Sequence, residues 1–131
     1  MHPQTRIFMK KHIMLVDDSK TIRNLLAFVL KSEGYKITTA EDGLDALEKI
    51  YSIEEPINLL IVDVNMPRMD GFTFIKTIRQ QELYKDVPII VLSTEGEEKD
   101  IQTGMSVGAN LYMIKPAHPE KMVRNIKMLL G

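Results

Sequence analysis

Short, nearly continuous apolar runs alternate along this chain with longer segments of helical periodicity, and this alternation constrains the fold more than any other feature. Five segments are predicted to be strands: 12–16, 35–40, 57–62, 88–92 and 111–114. The segments between them carry apolar residues at spacings of three and four, which is typical of helices that bury one face. Strands that alternate with helices pair in parallel, because each right-handed crossover places a helix on one face of the sheet. We therefore predict an α/β fold with five parallel strands and five helices.

Capping residues predict where these helices begin. The residues suited to the first turn or the cap are Ser19, Asp42, Asp70 and Pro119. Segment 97–107 is the weakest helix prediction, since Gly104 and Gly108 each cost about 1 kcal/mol relative to alanine in a helix interior. We expect this segment to be mobile.

Composition excludes several classes of protein. The 131 residues are enough for one domain, which we assign to residues 11–131, with residues 1–10 as an N-terminal extension that need not be ordered. A net charge of -1 gives no general attraction to nucleic acid or to a membrane surface. The chain has no cysteine and no apolar stretch near the roughly 20 residues of a spanning helix. We expect no direct nucleic-acid binding, no membrane insertion and a cytoplasmic location.

Polar side chains follow the predicted strands at the point where each strand ends. Asp17 and Asp18 come after the first strand, Asp63 after the third, Ser93 after the fourth and Lys115 after the last. In a parallel sheet these ends lie at one edge, which is where ligands bind in open α/β folds. The side chains are therefore expected to converge.

The converging residues form a chemically coherent set. Three ionised carboxylates would repel one another, so the site requires a divalent cation or a raised pKa on one member. Carboxylate oxygens suit Mg²⁺, which commonly binds through one or two carboxylates and a phosphate. Lys115 and Ser93 could then contact phosphoryl oxygens, and one carboxylate would remain as the nucleophile that forms an aspartyl phosphate.

At these positions the chain resembles the receiver domain of bacterial two-component response regulators. The motifs that carry the resemblance are Val16-Asp17-Asp18-Ser19, Glu41-Asp42-Gly43, the run from Asp63 to Gly71, Ser93, and Lys115-Pro116. The resemblance implies a flavodoxin-like, doubly wound sheet of order 2-1-3-4-5. It also implies that Asp63 accepts a phosphoryl group from a histidine kinase in a Mg²⁺-dependent reaction.

The same resemblance assigns the metal ligands. It implies that Asp18 and Asp63 bind Mg²⁺ directly, that Asp17 acts largely through water, and that Asn65 contributes its backbone carbonyl. Asp70 is interpreted as a helix cap rather than a ligand.

A second group of residues is assigned to the conformational switch and to the loss of the phosphoryl group. The resemblance implies that Ser93 and Tyr112 change conformation on activation, and that Asn65, Thr94 and Glu95 tune dephosphorylation. Because no output domain follows, we expect a single-domain regulator of the chemotaxis, CheY-like, type. Its downstream target is predicted to dock on the fourth helix, the fifth strand and the fifth helix.

Two alternatives come from other classes of protein. A haloacid-dehalogenase-like phosphohydrolase also uses an aspartate nucleophile with Mg²⁺, but it resembles a pattern in which two acids flank one residue, and Asp63-Val64-Asn65 lacks the second acid. A receiver-like binding module that takes no phosphate is the other alternative. The complete set of acids, hydroxyl and lysine argues against it.

Overall fold

The computed structural model describes residues 10–131, and the predicted extension lies outside this range except for Lys10. The strands are β1 (His12–Val16), β2 (Lys36–Ala40), β3 (Leu59–Asp63), β4 (Ile89–Ser93) and β5 (Leu111–Ile114). The helices are α1 (Lys20–Ser32), α2 (Gly43–Ser52), α3 (Gly71–Arg79), α4 (Glu98–Val107) and α5 (Pro119–Leu130), with a 3-10 turn at Glu82–Tyr84. None of these helices is long and apolar enough to cross a membrane.

All five strands are parallel and lie in the order β2-β1-β3-β4-β5. The predicted flavodoxin-like order is therefore confirmed. β1, β3 and β4 are buried along their whole length. Helices on both faces leave no solvated side to these strands, which explains why their sequences are continuously apolar.

Alternate residues of each strand pack into two separate hydrophobic cores, one on each face of the sheet. Met14 and Val16 point to the core that α2 and α3 cover, and Ile13 and Leu15 point to the core beneath α1 and α5. This division follows from the two-residue period of a strand. Because both faces are packed, a strand cannot slip by one residue without moving every side chain to the wrong core.

The predicted caps are present. Ser19 Oγ accepts a hydrogen bond from the Ile22 N–H at 3.3 Å, and Asp42 and Asp70 each accept from the N–H three residues later at 2.9 Å. Segment 97–107 forms helix α4 from Glu98 onwards, but the side chain of its N-cap residue, Glu97, makes no capping hydrogen bond. Its C-terminal end is capped, because the N–H of Gly108 donates to the carbonyls of Gly104 and Met105 in the last turn.

Gly104 has a role in packing that its low helix propensity does not indicate. It is buried, and a Cβ at this position would lie 2.9 Å from Cδ2 of Tyr112 and 3.3 Å from Cε1 of Phe72. Close approach of two aromatic rings therefore requires a glycine here. The glycine that weakens α4 as an isolated helix allows α4 to pack against the sheet edge and α3.

Candidate functional site

The carboxyl ends of the strands bring the three predicted acids together. One carboxylate oxygen each of Asp17, Asp18 and Asp63 lies within 4.8 Å of the others. Asp17 and Asp63 are almost fully buried, with 1% and 5% of their surface exposed, whereas Asp18 is open to solvent. The site thus combines two desolvated carboxylates with one accessible carboxylate.

Lys115 closes this cluster from the β5 side. Its Nζ lies 3.1 Å from Oδ2 of Asp17 and 3.3 Å from Oδ1 of Asp63. Burial alone would lower the pKa of Lys115, but the close contacts with the two aspartates and their negative charges outweigh burial and raise the pKa above its ordinary value. The lysine is therefore a permanent cation in the site.

Asp63 has the most perturbed carboxyl group of the cluster. Burial, followed by the charge of Asp17, raises the pKa of Asp63 to about 6, even though Lys115 acts in the opposite direction. The single ammonium group does not fully offset two buried carboxylates. Additional positive charge at this position would favour the ionised form.

Asp17 carries an incompletely satisfied oxygen. Its Oδ1 accepts the Ser19 N–H at 2.9 Å, but its buried Oδ2 makes no well-oriented hydrogen bond, and its close polar neighbour is the Lys115 Nζ. A buried acceptor of this kind is costly unless it has a further partner. Oxygen donors from three carboxylates fit a hard divalent cation such as Mg²⁺.

The loop after β3 is packed tightly against the backbone of Asp63. A Cβ on Gly71 would lie 2.0 Å from the Asp63 carbonyl oxygen, and the Gly71 N–H donates to the Val64 carbonyl at 2.8 Å. Only glycine allows α3 to begin this close to the strand end. The side-chain amide of Asn65 reaches Oε1 of Glu95 at 3.4 Å.

Glu95 connects the predicted switch residues. Its N–H donates to the Oγ of buried Ser93 at 3.0 Å, and its carbonyl accepts from the Tyr112 hydroxyl at 2.5 Å. Thr94, between Ser93 and Glu95, is exposed. The structure thus places Ser93, Glu95 and Tyr112 in one hydrogen-bonded chain that joins the end of β4 to β5.

Comparison with known proteins identifies the family. Residues 13–127 match the family model of the response regulator receiver domain. The chain belongs to this family. The receiver domain spans about half the length of some curated relatives and nearly all of others.

Three relatives illustrate the similarity of this receiver domain to known proteins. It is 34% identical to the chemotaxis protein CheY1 of Helicobacter pylori, over 91% of this chain and 96% of the relative. It matches the structure of Vibrio cholerae chemotaxis protein CheY4 with a TM-score of 0.87 and 38% identity, covering 93% of this chain and all of that one. The CheX-CheY-BeF3-Mg complex of Borrelia burgdorferi matches with a TM-score of 0.85 and 28% identity, covering 92% and 90%. These matches agree with the observed strand order.

Two arginines beside the site have no counterpart among the residues predicted from the sequence. Arg23 on α1 donates from Nη1 to the Asp17 carbonyl at 2.6 Å, and Arg68 in the loop after β3 forms two bonds to Asp42. Neither contact has a signal in the sequence, because both join residues through the tertiary fold. Asp42 itself was predicted only as a helix cap.

Proposed function

We propose that this receiver domain accepts a phosphoryl group from a histidine kinase on Asp63 in a Mg²⁺-dependent reaction. The observation that carries the proposal is the position of Asp63, a buried carboxylate at a strand end, beside Lys115 and two further aspartates. With a pKa of about 6, Asp63 is mostly ionised at neutral pH and is able to attack phosphorus.

Each neighbour has a defined task in this reaction. Lys115 would form an ion pair with a phosphoryl oxygen, and the Ser93 hydroxyl, which accepts from Glu95, retains its proton to donate to another. Mg²⁺ would neutralise the charge that accumulates on the phosphoryl oxygens. We assign Asp18, Asp63 and the backbone carbonyl of Asn65 as its ligands, with Asp17 acting through water. The related Borrelia complex contains BeF3 and Mg²⁺, and this composition supports a Mg²⁺-dependent phosphorylation site.

We further propose that Ser93 and Tyr112 transmit the phosphorylated state to a surface formed by α4, β5 and α5. Hydrogen bonds join Ser93 through Glu95 to Tyr112, whose ring lies against Gly104 of α4, and the start of α4 lacks a side-chain cap. Met105 and Ile114, with 44% and 45% of their surfaces exposed, supply apolar contact area there. A protein target would suit such a surface, and the Borrelia CheX-CheY complex supports a protein partner for this receiver domain.

The pathway and the location are proposed by similarity. The resemblance to CheY1 and CheY4 supports a chemotaxis or related two-component role, in which the receiver domain works in the cytoplasm by docking to a downstream partner. We assign Asn65, Thr94 and Glu95 to the tuning of dephosphorylation, since Asn65 and Glu95 meet above the site and can orient or exclude water.

Incubation with labelled acetyl phosphate and Mg²⁺ tests the proposal. We expect one acyl phosphate, mapped to Asp63, and none in Asp63→Asn or in excess chelator. Catalytic release of phosphate from small phosphate esters would favour a phosphohydrolase instead. Absence of label in the wild-type protein would favour a binding module that takes no phosphate.

The switch requires a separate experiment. We expect beryllofluoride with Mg²⁺ to shift the amide resonances of residues 94–108 and of Tyr112, because both segments bond through Glu95. Shifts confined to the residues that line the strand ends would contradict the switch assignment.

A further inference from the structure

The loop between β3 and α3 contains a non-glycine residue in the left-handed region. Arg68 has a φ of 62°. A side chain in this region costs roughly 1 kcal/mol or more, because the Cβ approaches the following carbonyl oxygen. The loop must therefore gain from some other contact of Arg68.

The compensating contact is a two-point ion pair with a buried carboxylate. Arg68 donates from Nε to Oδ2 of Asp42 at 2.7 Å and from Nη2 to Oδ1 at 3.0 Å. The Asp42 side chain is only 2% exposed, whereas the Arg68 side chain is half exposed. Paired arginine and carboxylate planes fix both distance and orientation.

Asp42 is already committed to the corner between β2 and α2. Its Oδ1 accepts the Asp45 N–H at 2.9 Å and so caps α2. Burial would raise the pKa of Asp42, but the hydrogen bonds from Arg68 and from the backbone outweigh burial and lower it. The carboxylate is thus a rigid, ionised attachment point.

A second contact joins the same corner to the same loop. The Gly43 N–H donates to the Met69 carbonyl at 3.1 Å, and a Cβ on Gly43 would lie 2.7 Å from Cγ of Met69. The loop is therefore attached through residues 68–69 to the corner at 42–43, and through Gly71 to the end of β3. The stretch that leaves Asp63 is restrained from both ends.

We propose that Asp42 and Arg68 are a positioning pair, which orients the loop so that the backbone carbonyl of Asn65 faces the acidic cluster. The inference rests on the proposed Mg²⁺ site. Asn65 lies between Asp63 and Arg68, so a loop freed at Arg68 loses the restraint that defines the direction of this carbonyl. The pair touches neither the metal site nor the phosphoryl position, and it acts only through the loop.

Two substitutions separate positioning from general stability. Asp42→Ser keeps a side-chain oxygen to cap α2 but removes the ion pair. Arg68→Gly removes the ion pair and also relieves the left-handed strain, so that the loss of loop restraint is not accompanied by backbone strain. Glu55→Ser is the matched control, because it breaks the Lys36–Glu55 pair of 3.0 Å at the opposite end of the sheet.

Mg²⁺ titration of the full chain and amide hydrogen exchange in excess chelator are the two measurements. We expect each substitution of the pair to raise the Kd for Mg²⁺ about tenfold, the lower end of the effect of removing an outer-shell partner. The double variant should match the single variants, since both remove one interaction. The amide hydrogens of Met69 and Gly71, which donate to the carbonyls of Pro67 and Val64, should exchange faster in the metal-free variants, and Glu55→Ser should behave as the wild type.

The outcomes separate this inference from the proposed function. A wild-type protein that binds Mg²⁺ and is labelled on Asp63, combined with unchanged Kd values in both variants, would overturn the positioning pair alone. Equal exchange rates of the Met69 and Gly71 amides would overturn it as well. A wild-type protein that binds no Mg²⁺ would overturn the proposed site, and with it the purpose that we assign to the pair.

Discussion

Replacing Asp63 with asparagine should stabilise the metal-free protein at neutral pH. The folded pKa is about 6, whereas an unfolded aspartate titrates near 3.9. Between these values the folded state binds more protons than the unfolded state, so the free energy of unfolding falls as pH rises. The ionised carboxylate then costs about 3 kcal/mol above pH 7, and asparagine, which has the same shape and no charge, removes that cost.

Urea denaturation in chelator, followed by circular dichroism because the chain has no tryptophan, measures this effect. We expect the variant and the wild type to converge in stability below about pH 3.9, and the advantage of the variant to grow as the pH rises and to level off above pH 6. Asp86→Asn, at an exposed position before β4, is the control and should show no such divergence. A stability difference that is independent of pH, or a variant that is less stable at pH 7.5, would refute the reasoning.

Three further predictions follow from the site and its surroundings. Asp18→Ala should weaken Mg²⁺ binding more than Asp17→Ala, since we assign only Asp18 as a direct ligand; titration that gives equal effects would contradict the ranking. Gly104→Ala should destabilise the fold by about 1 kcal/mol in urea denaturation, because overpacking against the ring of Tyr112 exceeds the gain in helix propensity. Asn65→Met should prolong the phosphorylated state by excluding water, which the lifetime of labelled protein after donor removal measures; an unchanged lifetime would show that decay is controlled elsewhere.

The periodicity of the apolar residues was enough to predict the sheet and its helices. It was less successful at choosing which apolar side chains are buried. Leu25 and Tyr51 follow the apolar spacing of three and four residues in α1 and α2, yet 50% and 67% of their surfaces are exposed. In α3 the aromatic Phe74 is fully buried, while Phe72, two residues earlier, is only partly buried beside Gly104. The spacing of apolar residues is a property of one helix, whereas the burial of each side chain depends on which parts of that helix the neighbouring elements cover.

The sequence by itself determined the parallel α/β sheet and the convergence of Asp17, Asp18, Asp63 and Lys115, because a residue that follows a parallel strand has only one edge of the sheet to occupy. Tertiary structure alone decided how those groups interact. The pKa of Asp63 depends on burial and on the distance to Asp17 and Lys115. The left-handed Arg68 exists because a buried Asp42 lies within reach. Such contacts join residues far apart in the chain, and no local pattern encodes the distance between them.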